Sequence, residues 1–215
     1  MAFIATIPVD QASGDVRTLY ERSQTELGYV PNHTKIFSHR PQVRAAWSNL
    51  LASIRRNLDP RQYELISVAA ARALHNSYCM LAHGTILRRQ FYSAEQLTAI
   101  AGDFTTAGLA PADMAVMAFA EKLARDATAV TEGDIQGLRA HGFTDVEIFD
   151  IAAAAAARCF FSKLLDALGA EPDVAYTQLE DELRRQLTVG RSISHSAIER
   201  VPPVESPPTP RHNDA

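Results

Sequence analysis

The sequence predicts an all-α protein, and three observations support this. Residues that begin and end helices recur along the chain, whereas alternating strand patterns are nearly absent. Alanine is abundant and glycine is sparse, with 10 residues, which favours helix. Hydrophobic residues make up 47% of the 215 residues, which is enough to bury a sizeable core. We therefore expect one all-helical domain over residues 1–190.

Capping residues and apolar periodicity place the individual helices in order. Ser13 and Gly28 bound the first helix, and a break at residues 29–32 follows it. Pro41 and Pro60 each stand at a first helical position, where proline is favoured. The predicted helices are 15–27, 41–55, 60–74, 77–90, a short one after the capping box at Ser93, 111–125, two that follow the caps Thr131 and Thr144, and 173–187.

A sharp bend is predicted between 60–74 and 77–90. Asn76 and Ser77 compete with the backbone for hydrogen bonds, so they suit the start of a helix better than its interior. His75 is interpreted as a surface or bend residue. A bend here would fold the two helices back against each other.

A faint internal repeat accompanies this pair of helices. When Glu147 is aligned with Glu64, the following residues align without a gap. The alignment pairs Asn76 with Cys159, Cys79 with Ser162, and His83 with Asp166. Most of the identical positions are alanine, so chance explains the likeness as well as a degenerate duplicated helix hairpin does.

Composition excludes several classes of function. The net charge is −4 and no basic stripe is present, so no nucleic-acid partner is expected. The chain begins without a signal-peptide pattern and has no apolar run long enough for a membrane span, which indicates a soluble, cytoplasmic protein. No metal-ligand spacing or glycine-rich phosphate loop is present, so neither a metal nor a cofactor is expected. Residues 191–215 are rich in serine, proline and charge and are predicted to be a disordered tail.

Cys79, His83 and Glu64 form the candidate catalytic site. Cys79 and His83 are four residues apart, so on one helix their Cβ atoms lie about 5–6 Å apart. At that distance an imidazole can take the thiol proton directly or through one water. On a continuous helix Glu64 would lie about 22 Å from Cys79. The bend would instead bring it to His83, where it would orient the imidazole.

Asn76 and Tyr78 are expected to support this site. Asn76 stands in an N-cap relation to Cys79, so its side chain would cap the helix and donate to the sulfur. Tyr78 is expected to pack beside the site, and Cys159 is expected to be a core residue. The structural alternatives are that Cys79 is an inert buried thiol and that Glu64 is a solvated surface charge.

The stretch YELISVAAARALHNSYCMLAHG resembles the signature of the carboxymuconolactone decarboxylase / alkylhydroperoxidase D superfamily. That signature has a glutamate, a Cys-x-x-Cys pair and a histidine four residues after the second cysteine. Glu64, Cys79 and His83 match it, whereas Asn76 stands at the first cysteine position. GYVPNHTKIFSHRPQVRAAW and FFSKLLDALGAEPD are similar to segments of the peroxidase-related branch.

The resemblance implies an alkylhydroperoxidase D-like helical bundle that assembles as a homo-oligomer, a trimer or hexamer. In the redox members two cysteines reduce a hydroperoxide, and an external dithiol, such as a lipoylated protein, re-reduces them. The glutamate and the histidine relay protons to the reactive cysteine. In the decarboxylase members the chemistry is acid/base work on a lactone acid.

Three functions remain open, because Asn76 cannot resolve a sulfenic acid. The first is a one-cysteine, alkylhydroperoxidase-like peroxidase that acts on a small hydroperoxide and depends on an external thiol or lipoyl-type reductant. The second is a non-redox enzyme in which Glu64 and His83 transfer protons on a small carboxylated or lactone substrate. The third is a non-catalytic helical oligomer.

Overall fold

The computed structural model describes residues 2–202, and within this range it contains ten α-helices and no β-strand. The helices are α1 Gly14–Leu27, α2 Asn32–Ile36, α3 Pro41–Arg55, α4 Pro60–Ala73, α5 Ser77–Gln90, α6 Ala94–Asp103, α7 Pro111–Arg125, α8 Glu132–Ala140, α9 Asp145–Ala167 and α10 Asp181–Leu187. The all-α prediction is confirmed. Within the described range no helix is both long enough and apolar enough to cross a bilayer.

The helices begin where capping chemistry predicts. Proline occupies the first turn of α3, α4 and α7. The Asp59 carboxylate accepts a hydrogen bond from the Gln62 backbone N–H at 2.9 Å, which caps α4. Reciprocal capping boxes begin α6 at Ser93 and α9 at Thr144. Ser13 precedes α1 as predicted, but its side chain makes no capping hydrogen bond.

Helix α4 lies at the centre of the bundle. It packs against α5, α7 and α9, and every residue from Tyr63 to Ala71 is buried. A helix that is buried all round needs an almost wholly apolar sequence, and Glu64 and Ser67 are the polar exceptions in this stretch. The Glu64 carboxylate is therefore inside the core rather than on a solvated face.

The predicted bend between α4 and α5 is present. His75 has a φ of 53°, in the left-handed region that residues other than glycine seldom adopt. The Asn76 side chain accepts a hydrogen bond from the Cys79 backbone N–H at 2.7 Å and caps α5. Its amide nitrogen donates to the carbonyl of Ser162 at 3.2 Å and to the carboxylate of Asp166 at 2.8 Å. Asn76 thus both starts α5 and ties the bend to α9.

The proposed internal repeat does not extend to a second hairpin. Helix α9 continues unbroken from Asp145 to Ala167, through the position that the alignment pairs with the bend at Asn76. Within the described residues, the aligned stretch is therefore one helix rather than two. This favours chance, through shared alanines, over duplication.

The prediction of one helix over 173–187 is wrong in its first half. A 3-10 helix, Val174–Gln178, comes first, and extended backbone at Leu179 separates it from α10. Arg184 donates to the carbonyl oxygens of Thr177 and Leu179 at 3.0 and 3.2 Å. These side-chain bonds satisfy carbonyl groups that lose their helical partners at the break.

The sequence predicts disorder from residue 191, but the structure gives residues 191–202 defined contacts with the rest of the domain. This segment has irregular backbone, but the Val30 backbone N–H donates to the Glu199 carbonyl at 2.9 Å, and Lys35 pairs with the Glu199 carboxylate at 2.6 Å. Val201 is buried in a small cluster with Val9 and Tyr20. Backbone pairing and one buried valine thus fix a segment of low hydrophobicity. The rest of the predicted tail, 203–215, lies outside the described residues.

Candidate functional site

The Glu64 carboxylate and the His83 imidazole are in direct contact. Oε2 of Glu64 is hydrogen-bonded to Nδ1 of His83, across the bend between α4 and α5. The Glu64 side chain is 2% exposed and the His83 side chain 12%. The second carboxylate oxygen, Oε1, lies 3.9 Å from the guanidinium of Arg55 on α3. The predicted meeting of Glu64 and His83 is therefore present in the fold.

Burial and neighbouring charge set the protonation of this pair. Burial lowers the pKa of His83, the Arg158 guanidinium lowers it further, and Glu64 opposes both without cancelling them. Burial raises the pKa of Glu64, but His83 and Arg55 outweigh it and the net shift is downward. At neutral pH the carboxylate is ionised and the imidazole is neutral. Because an ionised carboxylate only accepts, Nδ1 carries the proton and Nε2 is left as a free base.

The Cys79 sulfur is held by two donors from α9. Cys79 is 1% exposed, and its Sγ accepts from the Ser162 hydroxyl at 3.2 Å and from Nη1 of Arg158 at 3.6 Å. Among residues 2–202 no hydrogen bond joins this sulfur to His83, so of the two predicted routes for the thiol proton the direct one is not formed. Asn76 caps α5 as predicted but does not donate to the sulfur, because its amide is engaged by Ser162 and Asp166.

Arg158, like Ser162, is a member of the site that the sequence did not predict. It is 4% exposed, and its Nη2 donates to the Tyr63 hydroxyl at 3.0 Å. Burial works to lower its pKa, but Cys79 and Tyr63 outweigh burial and the net shift is upward, so the guanidinium stays charged. A signal was available in the sequence, since a lone arginine in the run IAAAAAARCFF is in a helix too apolar to face water on every side. A buried charge of this kind requires partners, and here they are the Cys79 sulfur and the Tyr63 hydroxyl.

Tyr78 packs as predicted, within a second polar cluster next to the site. Its hydroxyl is hydrogen-bonded to the Asp173 carboxylate and accepts from the His33 backbone N–H at 3.0 Å. Burial raises the pKa of Tyr78 and, with the positive charges of Arg44 and Arg158, lowers that of His33 to about 3. Both groups are therefore uncharged at neutral pH. The cluster anchors the segment after α9 to the start of α5.

Cys159, the second thiol, is less buried than the sequence predicts. It was predicted to be a core residue, but it is only partly buried, on a turn of α9 whose neighbour Phe160 is 48% exposed. Both cysteines are free thiols. Burial raises the pKa of Cys159.

Comparison with known proteins relates this chain to a family. The model of the carboxymuconolactone decarboxylase family matches residues 41–122, which include Glu64, Cys79 and His83. An alkylhydroperoxidase AhpD core, an uncharacterized peroxidase-related protein from Ralstonia eutropha JMP134, is 27% identical with a TM-score of 0.72, covering 88% of this chain and 98% of that one. Together these likenesses support the assignment of the chain to the carboxymuconolactone decarboxylase / alkylhydroperoxidase D-like superfamily.

Other solved structures share the superfamily fold. A peroxidase-related protein from Silicibacter sp. TM1040 is 24% identical with a TM-score of 0.73, covering 80% of this chain and 92% of that one. The debrominase Bmp8 is 19% identical with a TM-score of 0.62, covering 80% of this chain and 89% of that one. Both likenesses concern the fold alone. A search of curated proteins gives no significant match.

Likeness to this superfamily supports a peroxidase-related or decarboxylase-like role. The position of the first signature cysteine is here taken by Asn76, which caps α5 and binds α9. No thiol therefore lies three residues before Cys79. Among the described residues no group of three or more His, Cys, Asp or Glu side chains is arranged to hold a metal ion.

Proposed function

We propose that this protein is a one-cysteine, alkylhydroperoxidase-like thiol peroxidase with Cys79 as its nucleophile. The observation that carries the proposal is the placement of the sulfur between a buried, charged Arg158 and the Ser162 hydroxyl. A thiolate is the reactive form of cysteine, and a fixed positive charge at 3.6 Å favours it. A cysteine that only fills the core would pack against apolar side chains rather than against a buried, charged guanidinium.

His83, Glu64 and Arg158 each have a separate role in the proposed reaction. Nε2 of the neutral His83 takes the thiol proton through one water, and Glu64 stabilises the imidazolium that forms. The thiolate attacks the terminal oxygen of a hydroperoxide, so an S–O bond forms as the O–O bond breaks. Sulfur is oxidised to the sulfenic acid, the peroxide is reduced to an alkoxide, and His83 returns the proton to give the alcohol. Arg158 stabilises the negative charge throughout.

Regeneration requires reductant from outside the chain. Because Asn76 replaces the resolving cysteine, an external thiol attacks the Cys79 sulfenic acid, which releases water and leaves a mixed disulfide. A second thiol then reduces this disulfide and restores Cys79. A dithiol, such as a lipoyl group, supplies both equivalents in one molecule.

Turnover of an organic hydroperoxide with a dithiol reductant tests this proposal. Cys79→Ser is expected to abolish protein-dependent peroxide consumption, whereas Cys159→Ser serves as the matched control and retains it. Equal activity in the wild-type protein and in Cys79→Ser would contradict the proposal.

One observation favours a second function, an acid/base enzyme that acts on a small lactone or carboxylated substrate. Glu64 and His83 are bonded to each other, and neither is bonded to the Cys79 sulfur. In that case Cys79 takes no part in the proton transfer. Cys79→Ala would leave turnover largely intact while His83→Ala abolishes it, the reverse of what a thiol peroxidase shows for Cys79.

Assembly and location remain predictions. We propose a homo-oligomer, a trimer or hexamer, in the cytoplasm. Size-exclusion chromatography with light scattering gives the mass directly, and a monomer at micromolar concentration would refute the assembly.

A further inference from the structure

A cavity of about 260 Å³ lies between α1 and α3. Leu19, Arg22 and Glu26 line it from α1, and Arg44, Ala45 and Ser48 line it from α3. None of Glu64, Cys79 and His83 borders it. Helix α1 also precedes residues 41–122, the part of the chain that the family model matches. The cavity is therefore separate from the site described above.

Arg44 is the charged group in this cavity that lacks a counter-ion. Its Nε is buried and has no hydrogen-bond partner, and its Nη1 is bonded to the Ser48 hydroxyl. No carboxylate within residues 2–202 comes within ion-pairing distance of it. Burial lowers the pKa of Arg44, and Glu26 opposes this. Arg22 differs, because it pairs with Glu26 at 2.9 Å.

An unpaired, partly buried guanidinium is costly, since it loses water without gaining a partner. A carboxylate from a ligand would remove this cost, because it can accept from Nε and a terminal nitrogen of the same guanidinium at once. The other residues that line the cavity determine the charge and polarity of the anion that fits. Leu19 and Ala45 offer apolar surface, and the carboxylates of Asp15 and Glu26 disfavour a doubly charged anion.

We infer that this cavity binds a small organic monocarboxylate, whose carboxylate pairs with Arg44 and whose apolar part packs on Leu19 and Ala45. A ligand that binds only the folded state raises its melting temperature. Acetate, hexanoate and benzoate at millimolar concentration are the probes. Methyl benzoate is the uncharged control, and inorganic phosphate at about pH 8.5, where nearly all of it is doubly charged, is the dianion control.

At least one of the three carboxylates is expected to raise the melting temperature of the full chain, and the ester and phosphate are not. Arg44→Met should remove the shift and leave the unliganded protein at least as stable, because an unpaired charge has been removed. Arg56→Met, which changes an exposed arginine just after the end of α3, should retain the shift. Ala45→Leu, which fills the apolar part, should also remove it.

Three binding results would overturn the inference, and so would one stability result. The binding results are no shift in the wild-type protein with any of the carboxylates, an equal shift in Arg44→Met, or an equal shift with phosphate. An Arg44→Met protein that melts well below wild type would show that Arg44 is structural, and would overturn it too.

Discussion

Replacing Arg158 by methionine tests the electrostatic part of the site. The substitution keeps much of the volume and removes the charge that lies 3.6 Å from the Cys79 sulfur. Two unit charges at this separation attract by about 4–5 kcal/mol at an effective dielectric constant of about 20. Desolvation offsets most of this, and a hydrogen bond to a charged group contributes about 1.5–3 kcal/mol net, which corresponds to at least about tenfold in rate.

The rate of Cys79 alkylation by iodoacetamide at pH 7, followed by mass spectrometry of the modified peptide, measures this effect. Arg158→Met is expected to alkylate at least about tenfold more slowly than wild type. Ser162→Ala removes only a neutral donor, worth about 1 kcal/mol, and should slow alkylation by roughly fivefold. Arg158→Lys retains the charge and should lie between wild type and Arg158→Met.

The folding of Arg158→Met has to be checked as well, because the substitution also removes the hydrogen bond from Arg158 to the Tyr63 hydroxyl. Tyr63→Phe is the matched control, since it removes that second bond and leaves the charge beside the sulfur. If folded Arg158→Met alkylates as fast as wild type, the guanidinium does not stabilise the thiolate and the reasoning is wrong.

Three further predictions concern the relay, the effect of acid and the missing cysteine. Glu64→Gln is expected to slow peroxide reduction without unfolding the protein, as judged by circular dichroism; an unfolded variant would show that Glu64 is structural. The free energy of unfolding, measured with urea, is expected to fall as the pH drops from about 6.5 toward 3. The reason is that His33, whose folded pKa is about 3, takes up its proton first in the unfolded chain, and His83 is shifted in the same direction. His33→Gln should make this slope shallower, and an unchanged slope would contradict the account. Asn76→Cys is expected to form a disulfide with Cys79 on peroxide treatment, seen as a loss of two thiols, and to lower stability by about 1–2 kcal/mol through the lost cap.

The part of the site that the sequence predicted depends on local rules. The four-residue spacing of Cys79 and His83 places both on one face of α5. The capping chemistry of Asn76 marks the bend, and the bend brings Glu64 to His83. Each step follows from residues near one another in the chain. The bounds of α3, α5 and α7 follow from the same kind of signal.

The part that was missed depends on contacts between distant segments. Arg158 and Ser162 reach Cys79 from 79 and 83 residues further along the chain. Hydrophobic periodicity shows that a helix is buried but not which turn faces which neighbour. The order in residues 191–202 has the same cause, because Glu199 is held by Val30 and Lys35 through pairing that composition does not reveal.

The central claim is that Cys79 is a peroxide-reactive thiol, and trapping of its sulfenic acid tests this most directly. The protein is treated with one equivalent of peroxide in the presence of dimedone, and its peptides are examined by mass spectrometry. We expect a dimedone adduct on Cys79 and none on Cys159, and a weaker adduct in His83→Ala. An absence of adduct on Cys79 with peroxide well in excess of the thiol would contradict the claim.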